Sequence, residues 1–205
     1  MPDRDVLDTP HGRAVVIALG DHALVGDELN LAASLGPVRR RELAAGRTAL
    51  RSALADLGVA NAPPILPDDR GAPQLPAGFV GSISHKNERA AALVAPAGQG
   101  FVGIDIELAA PSRLPIERRI LTPAEQARVS GREVTLYFSI KEAIYKAIDP
   151  IVRRYVGFTE VELDVRSDGS VTVTVLDVAR LPVEIEASWQ ERDGHWLATA
   201  RGRRR

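Results

Sequence analysis

GIDIELAAPSRLPIERRILTPAEQARVSGREVTLYFSIKEAIYK, residues 103–146, is the stretch around which the rest of the chain is organised. Its opening alternates apolar and acidic residues. On a strand, neighbouring side chains leave opposite faces, so Asp105 and Glu107 share one face while Val102, Ile104 and Ile106 occupy the other. Towards its end, Leu136, Ile140 and Ile144 recur every fourth residue, which predicts a helix over 136–147 with these three on its buried stripe. Glu142 and Lys146 share a different face of that helix.

If the helix crosses the strand, Glu142 becomes a third oxygen donor beside Asp105 and Glu107. Three carboxylates with room left for water and phosphate oxygens suit Mg2+, a hard cation that keeps coordination positions open for substrate. Each fragment alone reads more plainly. Glu142 and Lys146 at i,i+4 form a solvated ion pair in most helices, and Asp-x-Glu is an ordinary polar strand edge.

Composition narrows the class. A chain of 205 residues with 45% hydrophobic content can bury a substantial core, as one domain or two tightly joined halves. With 26 basic and 27 acidic residues the net charge is −1, which argues against a general nucleic-acid binder. Cysteine is absent, so disulfides, thiolate metal sites and a cysteine nucleophile are excluded, in keeping with a reducing cytoplasm. No apolar run approaches the roughly 18 residues that span a bilayer. The opening MPDRDVLDTPHGR carries both charge signs without an apolar core, so it reads as a loosely packed terminus and not a secretory signal. The closing RGRRR reads as a solvated tail rather than a nucleic-acid arm.

Outward from the central stretch, RAVVIAL at 13–19 is β-branched enough for a first buried strand. A long helix follows between Gly36-Pro37 and Gly58, with Leu43, Leu50, Leu54 and Leu57 on its buried face. Arg40, Arg47 and Arg51 stack along one side of it, with Arg39 just off the row. Three like charges on one face repel unless an anion lies among them. The row is therefore either a phosphate clamp or an exposed face served by chloride, Glu42 and Asp56.

NAPPILPDDRGAPQLPAG, residues 61–78, is Pro-rich and should be extended and irregular, with Arg70 at its tip and Gly71 allowing a sharp turn or close approach to a ligand. FVGSISH at 79–85 and RAAALVA at 89–95 form a hairpin, leaving Ser84 and His85 at a strand end where ligands commonly sit. No Asp stands nearby in sequence to orient His85, and there is no GxSxG, so a Ser-His hydrolase fits poorly. Thr122-Pro123-Ala124-Glu125 is a capping box opening a helix to about 130–131, and the following helix should stop near Asp149-Pro150. Ser167-Asp168-Gly169 and Asp193-Gly194 mark two closing hairpins.

VGIDIE at 102–107 and FSIKEAIYK at 138–146 resemble the two signature motifs of the 4′-phosphopantetheinyl transferases, in the surfactin-type and siderophore-synthetase-type branch. RRRELAAGRTALRSAL at 39–54, RGAPQLP at 70–76 and GSISH at 81–85 match in the same order, so the resemblance covers most of 39–158. It implies an α+β fold of two similar α/β halves, residues 1–100 and 101–205, related by a pseudo-twofold axis with the active site in the cleft between them. The reaction implied transfers the 4′-phosphopantetheine arm of coenzyme A to a serine of an apo acyl or peptidyl carrier protein, releasing adenosine 3′,5′-bisphosphate. Asp105, Glu107 and Glu142 would hold Mg2+, with Mn2+ as an alternative ion.

By the same resemblance Lys146 would stabilise the leaving group, Lys141 would assist on a phosphate, and Glu142 would take the serine proton directly or through a metal-bound water. Arg39, Arg47, Arg70, Gly71, Ser84 and His85 would serve the phosphates of coenzyme A in the N-terminal half. Arg113, Arg118, Arg119 and Arg128, with Leu114, Ile116 and Leu121, would dock the acidic carrier. A cytoplasmic monomer acting without membrane or nucleic acid is expected. Two rival readings use the same residues: a Mg2+-dependent phosphoesterase and a catalytically inactive coenzyme A-binding paralogue.

Overall fold

The structure, a computed structural model, describes residues 4–205. Residues 1–3 of the expected loose terminus lie outside the described residues. The chain divides into two compact units, Met1–Gln99 and Gly100–Arg205. Both combine one antiparallel sheet with one long helix, which makes the chain α+β. Among the described residues, no helix is long and apolar enough to cross a membrane.

The first unit runs β1 (Arg4–Thr9), β2 (Gly12–Ala18), α1 (Asp27–Ala33), α2 (Pro37–Asp56), β3 (Phe79–Lys86) and β4 (Arg89–Pro96). Its sheet order is β1-β2-β4-β3. The opening segment is not loose from Arg4 onward, because β1 pairs along β2 from Arg4↔Ile17 to Thr9↔Gly12. Backbone pairing, not apolar content, makes this strand, so its charged sequence carries little sign of it. α2 starts at Pro37 as expected and buries Leu50 and Leu54 against Val15, Ile17, Ile65 and Val94, while Leu57 packs at the edge of the cluster. Gly46 lets Ile83 of β3 approach, since a Cβ there would lie 2.9 Å from its Cγ2.

The Pro-rich connector between α2 and β3 folds back on itself. Asp68 N donates to Ala72 O at 2.8 Å and Gln74 N to Leu66 O at 2.9 Å, which leaves Arg70 and Gly71 at the tip. Asp68 Oδ1 accepts from the amides of Arg70 and Ala72, at 2.8 and 2.9 Å. Gly71 has φ of 87°, a conformation that L side chains rarely adopt.

The second unit runs β5 (Phe101–Leu108), α3 (Glu117–Ile120), α4 (Pro123–Gln126), α5 (Glu133–Val152), β6 (Val161–Val165), β7 (Ser170–Val175), β8 (Val183–Arg192) and β9 (His195–Arg204). The sheet order is β5-β9-β8-β7-β6. In both units the strand preceding the long helix pairs with the last strand of that unit, β2 with β4 and β5 with β9.

Three expectations are corrected here. The capping box at Thr122 forms, but α4 ends at Gln126, because the chain turns to bury Val129 in the core while Arg128 donates back to Ala124 O. α5 passes through Pro150 to Val152 and stops at Arg153, whose left-handed φ of 48° ends the helix. Pro150 sits in the last turn, where the missing amide costs one bond only. RGRRR is not a tail: Arg201 to Arg204 continue β9 and pair with β8, and Arg201 and Gly202 pair with β5 as well.

α5 lies against β5 and β9 over two glycines. A Cβ on Gly103 would stand 1.9 Å from Ala143 O and 2.8 Å from Ala147 N, and one on Gly202 would stand 2.8 Å from Ala147 O. This close approach sets the position of every α5 side chain relative to the acidic strand.

Candidate active site

Because β5 alternates, the face that carries Gly103 towards α5 also carries Asp105 and Glu107. Val102, Ile104 and Ile106 on the opposite face are buried. Lys146 Nζ donates to Asp105 Oδ1 at 2.8 Å and to Ile104 O at 3.0 Å, tying α5 to β5 across the site. Glu142, one turn earlier, is half-buried. Burial pushes its carboxyl above the usual carboxylate range, the Lys146 ammonium pulls it back, and the charges of Asp105 and Glu107 push it further up. Arg119 of α3 acts on it in the same direction as Lys146. The acids therefore share one electrostatic environment, as the strand-crossing-helix reading required.

They do not converge as a ready cage. Among the described residues, no group of three or more His, Cys, Asp or Glu is already gathered so as to hold a metal ion. In chemistry the donor set still fits Mg2+: all oxygens are carboxylate, their mutual repulsion would be relieved by a divalent cation, and Mg2+ commonly takes only one or two carboxylates with water and substrate oxygens completing its shell.

Lys141 departs from its expected role on a phosphate. It is 2% exposed, and its Nζ donates to Glu125 Oε2 at 2.6 Å, to Ile120 O at 2.9 Å and to Val161 O at 3.2 Å. Burial lowers its proton affinity, and the Glu125 carboxylate opposes that. Glu125 also completes the Thr122 capping box and accepts from Leu163 N at 2.8 Å. The pair joins α5, the α3–α4 segment and β6 inside the core.

In the first unit, Arg39 Nη1 donates to Glu42 Oε2 at 2.9 Å, and His85 Nδ1 lies 3.4 Å from Glu42 Oε1. Glu42 thus gathers two of the expected phosphate residues. Ser84, being next to His85 on β3, faces the other side of the strand and is buried. Arg47 is corrected: it keeps 6% of its surface, and its Nε donates to Ile65 O at 2.6 Å, so it props the connector instead of presenting a clamp. Burial pushes its guanidinium down, Glu28 raises it, and Arg51 lowers it further. The repulsion along α2 is answered inside the protein, since the buried Glu28 accepts from Arg51 Nη1 at 2.7 Å and from Ile65 N at 2.9 Å.

Two family models match the chain: the 4′-phosphopantetheinyl transferase N-terminal domain over residues 27–95 and the 4′-phosphopantetheinyl transferase superfamily over residues 101–200. The chain is 30% identical over 177 residues to enterobactin synthase component D of Salmonella typhimurium, across 78% of this chain and 70% of that protein. The chain belongs to the 4′-phosphopantetheinyl transferase superfamily. Two further relatives are the 4′-phosphopantetheinyl transferases Svp of Streptomyces mobaraensis, 37% identical over 68% of this chain, and Npt of Nocardia iowensis, 38% identical over 64%. The matched part spans 61% and 62% of the length of those two proteins. Among solved structures, an ACPS–CoA complex of Chronobacterium ammoniagenes is 21% identical with a TM-score of 0.40, covering 51% of this chain and 96% of that one.

Three residues of this chain were not singled out as site components by its sequence: Glu125, Glu28 and Glu42. Glu125 was legible only as a cap, and its partner Lys141 lies 16 positions away. Glu28 sits on α1, a helix of seven residues whose apolar pattern is too short to register. The region expected to dock a carrier divides. Arg113, Arg118 and Arg119 are exposed and Leu114 keeps 69% of its surface, whereas Leu121 is buried and Arg128 is held by Ala124 O and Leu163 O.

Proposed function

We propose that this protein moves the 4′-phosphopantetheine arm of coenzyme A onto a serine of an apo acyl or peptidyl carrier protein. The observation that carries the reading is the approach of Glu142 and Lys146 on α5 to Asp105 and Glu107 on β5. In the step itself the serine oxygen forms a bond to the β-phosphorus, and the bond from that phosphorus to the oxygen of the departing adenosine 3′,5′-bisphosphate breaks. Positioning and charge neutralisation supply most of the catalysis in such transfers.

Glu142 takes the serine proton, helped by the burial and neighbouring acids that raise its proton affinity. Lys146, held at the β5 edge by Asp105, faces the charge that builds on the leaving phosphate. Asp105, Glu107 and Glu142 would supply carboxylate oxygens to Mg2+ or Mn2+, which when bound neutralises pyrophosphate charge. Arg39, Arg70 and His85 serve the phosphates of coenzyme A, and Gly71 lets the connector approach them, while Ser84 lies buried on the other face of β3. Arg113, Arg118 and Arg119 with Leu114 meet the acidic carrier beside a hollow of about 570 Å3 lined by Pro115, Glu117, Arg118, Leu121, Gln126 and Val129. The protein acts as a cytoplasmic monomer.

Incubation with coenzyme A, Mg2+ and a few apo carriers, followed by intact-mass measurement, tests this. The expected result is a gain of one phosphopantetheine on a carrier serine. Phosphate release without any carrier would favour a phosphoesterase, and coenzyme A binding without either would favour an inactive paralogue.

A further inference from the structure

Glu28 on α1 is fully buried, a state that Glu almost never adopts unless its charge is answered. The answer comes from three segments at once. Oε1 accepts from Arg51 Nη1 of α2 at 2.7 Å and from Ile65 N of the Pro-rich connector at 2.9 Å, while Oε2 accepts from Val25 N, just before α1, at 3.1 Å. Arg51 also donates through Nη2 to Ala23 O at 2.9 Å, so the chain leading into α1 is held to α2.

Ile65 is where this carboxylate acts on the connector. Its amide goes to Glu28, its carbonyl accepts from Arg47 Nε at 2.6 Å, and its side chain is buried in the core of the first unit. Pro63, Pro64, Pro67, Pro73 and Pro76 lack amide donors, so the connector has few bonds of its own with which to fix its place. Pro64 packs against Gly26, where a Cβ would stand 2.7 Å from its Cγ. Pro64 and Ile65 are thus seated on the turn that opens α1.

Beyond Ile65 the connector is a bonded hairpin up to Arg70. Gln74 N donates to Leu66 O at 2.9 Å, Pro67 bridges Pro73 in antiparallel fashion, and Gln74 Nε2 donates to Pro67 O at 3.0 Å. Gly71 N closes the tip on Asp68 O at 3.2 Å. A hairpin bonded along its length moves as one piece, so a displacement at Ile65 is carried to the tip.

We propose that Glu28 is a positioning residue for coenzyme A: by fixing Ile65 it sets where the hairpin presents Arg70 and Gly71 to the coenzyme A phosphates. This rests on the reading that Arg70 serves those phosphates. A guanidinium displaced by about 1 Å loses the fork geometry that grips phosphate oxygens.

Calorimetric titration of coenzyme A into the full chain tests this, with Glu28→Gln, Arg70→Ala and the double variant each held well below its unfolding temperature. Glu28→Gln keeps the side-chain size but turns an NH2 group towards amide and guanidinium donors. It should weaken coenzyme A binding roughly tenfold, the loss of about one charge-assisted contact. In the Arg70→Ala background the same change should add less than about twofold, because a residue acting through Arg70 has nothing further to remove. An equal loss in both backgrounds overturns the proposal and marks Glu28 as structural only. Unchanged affinity in Glu28→Gln, with Arg70→Ala weakened, overturns the role of Glu28 and leaves that of Arg70 standing. Equal affinity in the parent and Arg70→Ala overturns the phosphate role of Arg70 and the proposal with it. Should Glu28→Gln fail to fold, Glu28→Asp, which keeps the charge but shortens its reach, must show the same loss with Arg70 present and none without it.

Discussion

Lys146 Nζ and Asp105 Oδ1 lie 2.8 Å apart, joining the long helix of the second unit to its acidic strand. The pair is partly open, with 26% of the lysine side chain and 6% of the aspartate side chain exposed. An ammonium anchored in this way is pre-set for charge that develops on a phosphate, and it keeps Asp105 from facing Glu142 and Glu107 uncompensated.

Lys146→Met should therefore reduce carrier-protein modification by roughly 100-fold or more, the usual loss on removing one donor to developing charge. Intact-mass time courses measure this, and circular dichroism should show the fold retained. Lys146→Arg should recover part of the rate.

Gly103→Ala brings a methyl carbon to within 1.9 Å of Ala143 O, which is backbone and cannot give way. α5 would have to lift from β5, so a loss of about 3 kcal/mol or outright misfolding is expected. Urea unfolding of the soluble fraction checks it. Gly46→Ala meets only the tip of Ile83 and should be milder.

Breaking the buried pair by Lys141→Met leaves the Glu125 carboxylate in the core and should cost about 3–5 kcal/mol. Replacing both partners, Lys141→Met with Glu125→Leu, should recover part of that loss. The Thr122 cap and the Leu163 contact, which also use Glu125, set how much. Denaturant midpoints of the two singles and the double form the cycle.

At the end of α5, Arg154 grips Glu160 at 3.0 and 2.7 Å, and its guanidinium holds that carboxyl below the usual range, with Gly157 N adding to the effect. The native value lies below the unfolded one, so the stabilisation is complete above the unfolded value and drains away as pH falls through the native value. The stability gap between the parent and Glu160→Gln should accordingly shrink on going from about pH 6 to about pH 3. Thermal unfolding across that interval measures the gap.

Local patterns were legible wherever neighbours in sequence act on one another. The alternation at 102–107 placed Asp105 and Glu107 on one face, Pro37 and Gly58 bracketed α2, and Thr122 with Glu125 announced a cap that forms as expected. The errors share a cause. Lys141 reads as a phosphate ligand from the family resemblance, yet its ammonium is claimed by a cap 16 residues earlier. Arg47 read as part of a charged row, yet a loop 18 residues later covers it. RGRRR reads as a tail from its charge, yet β8 supplies backbone partners for Arg201 to Arg204, with β5 on the other side of Arg201 and Gly202.

By itself the sequence determined which residues could form strands and helices, how acids and bases were spaced along them, and which family they resemble. Those are properties of contact between near neighbours, where rise per residue and side-chain alternation decide the outcome. Only the tertiary structure decided which charges were used up internally: Glu125 on Lys141, Glu28 on Arg51, Asp105 on Lys146. Ionic pairing depends on distances of a few ångströms between segments far apart in the chain, and those distances were set by packing, above all by α5 settling on Gly103.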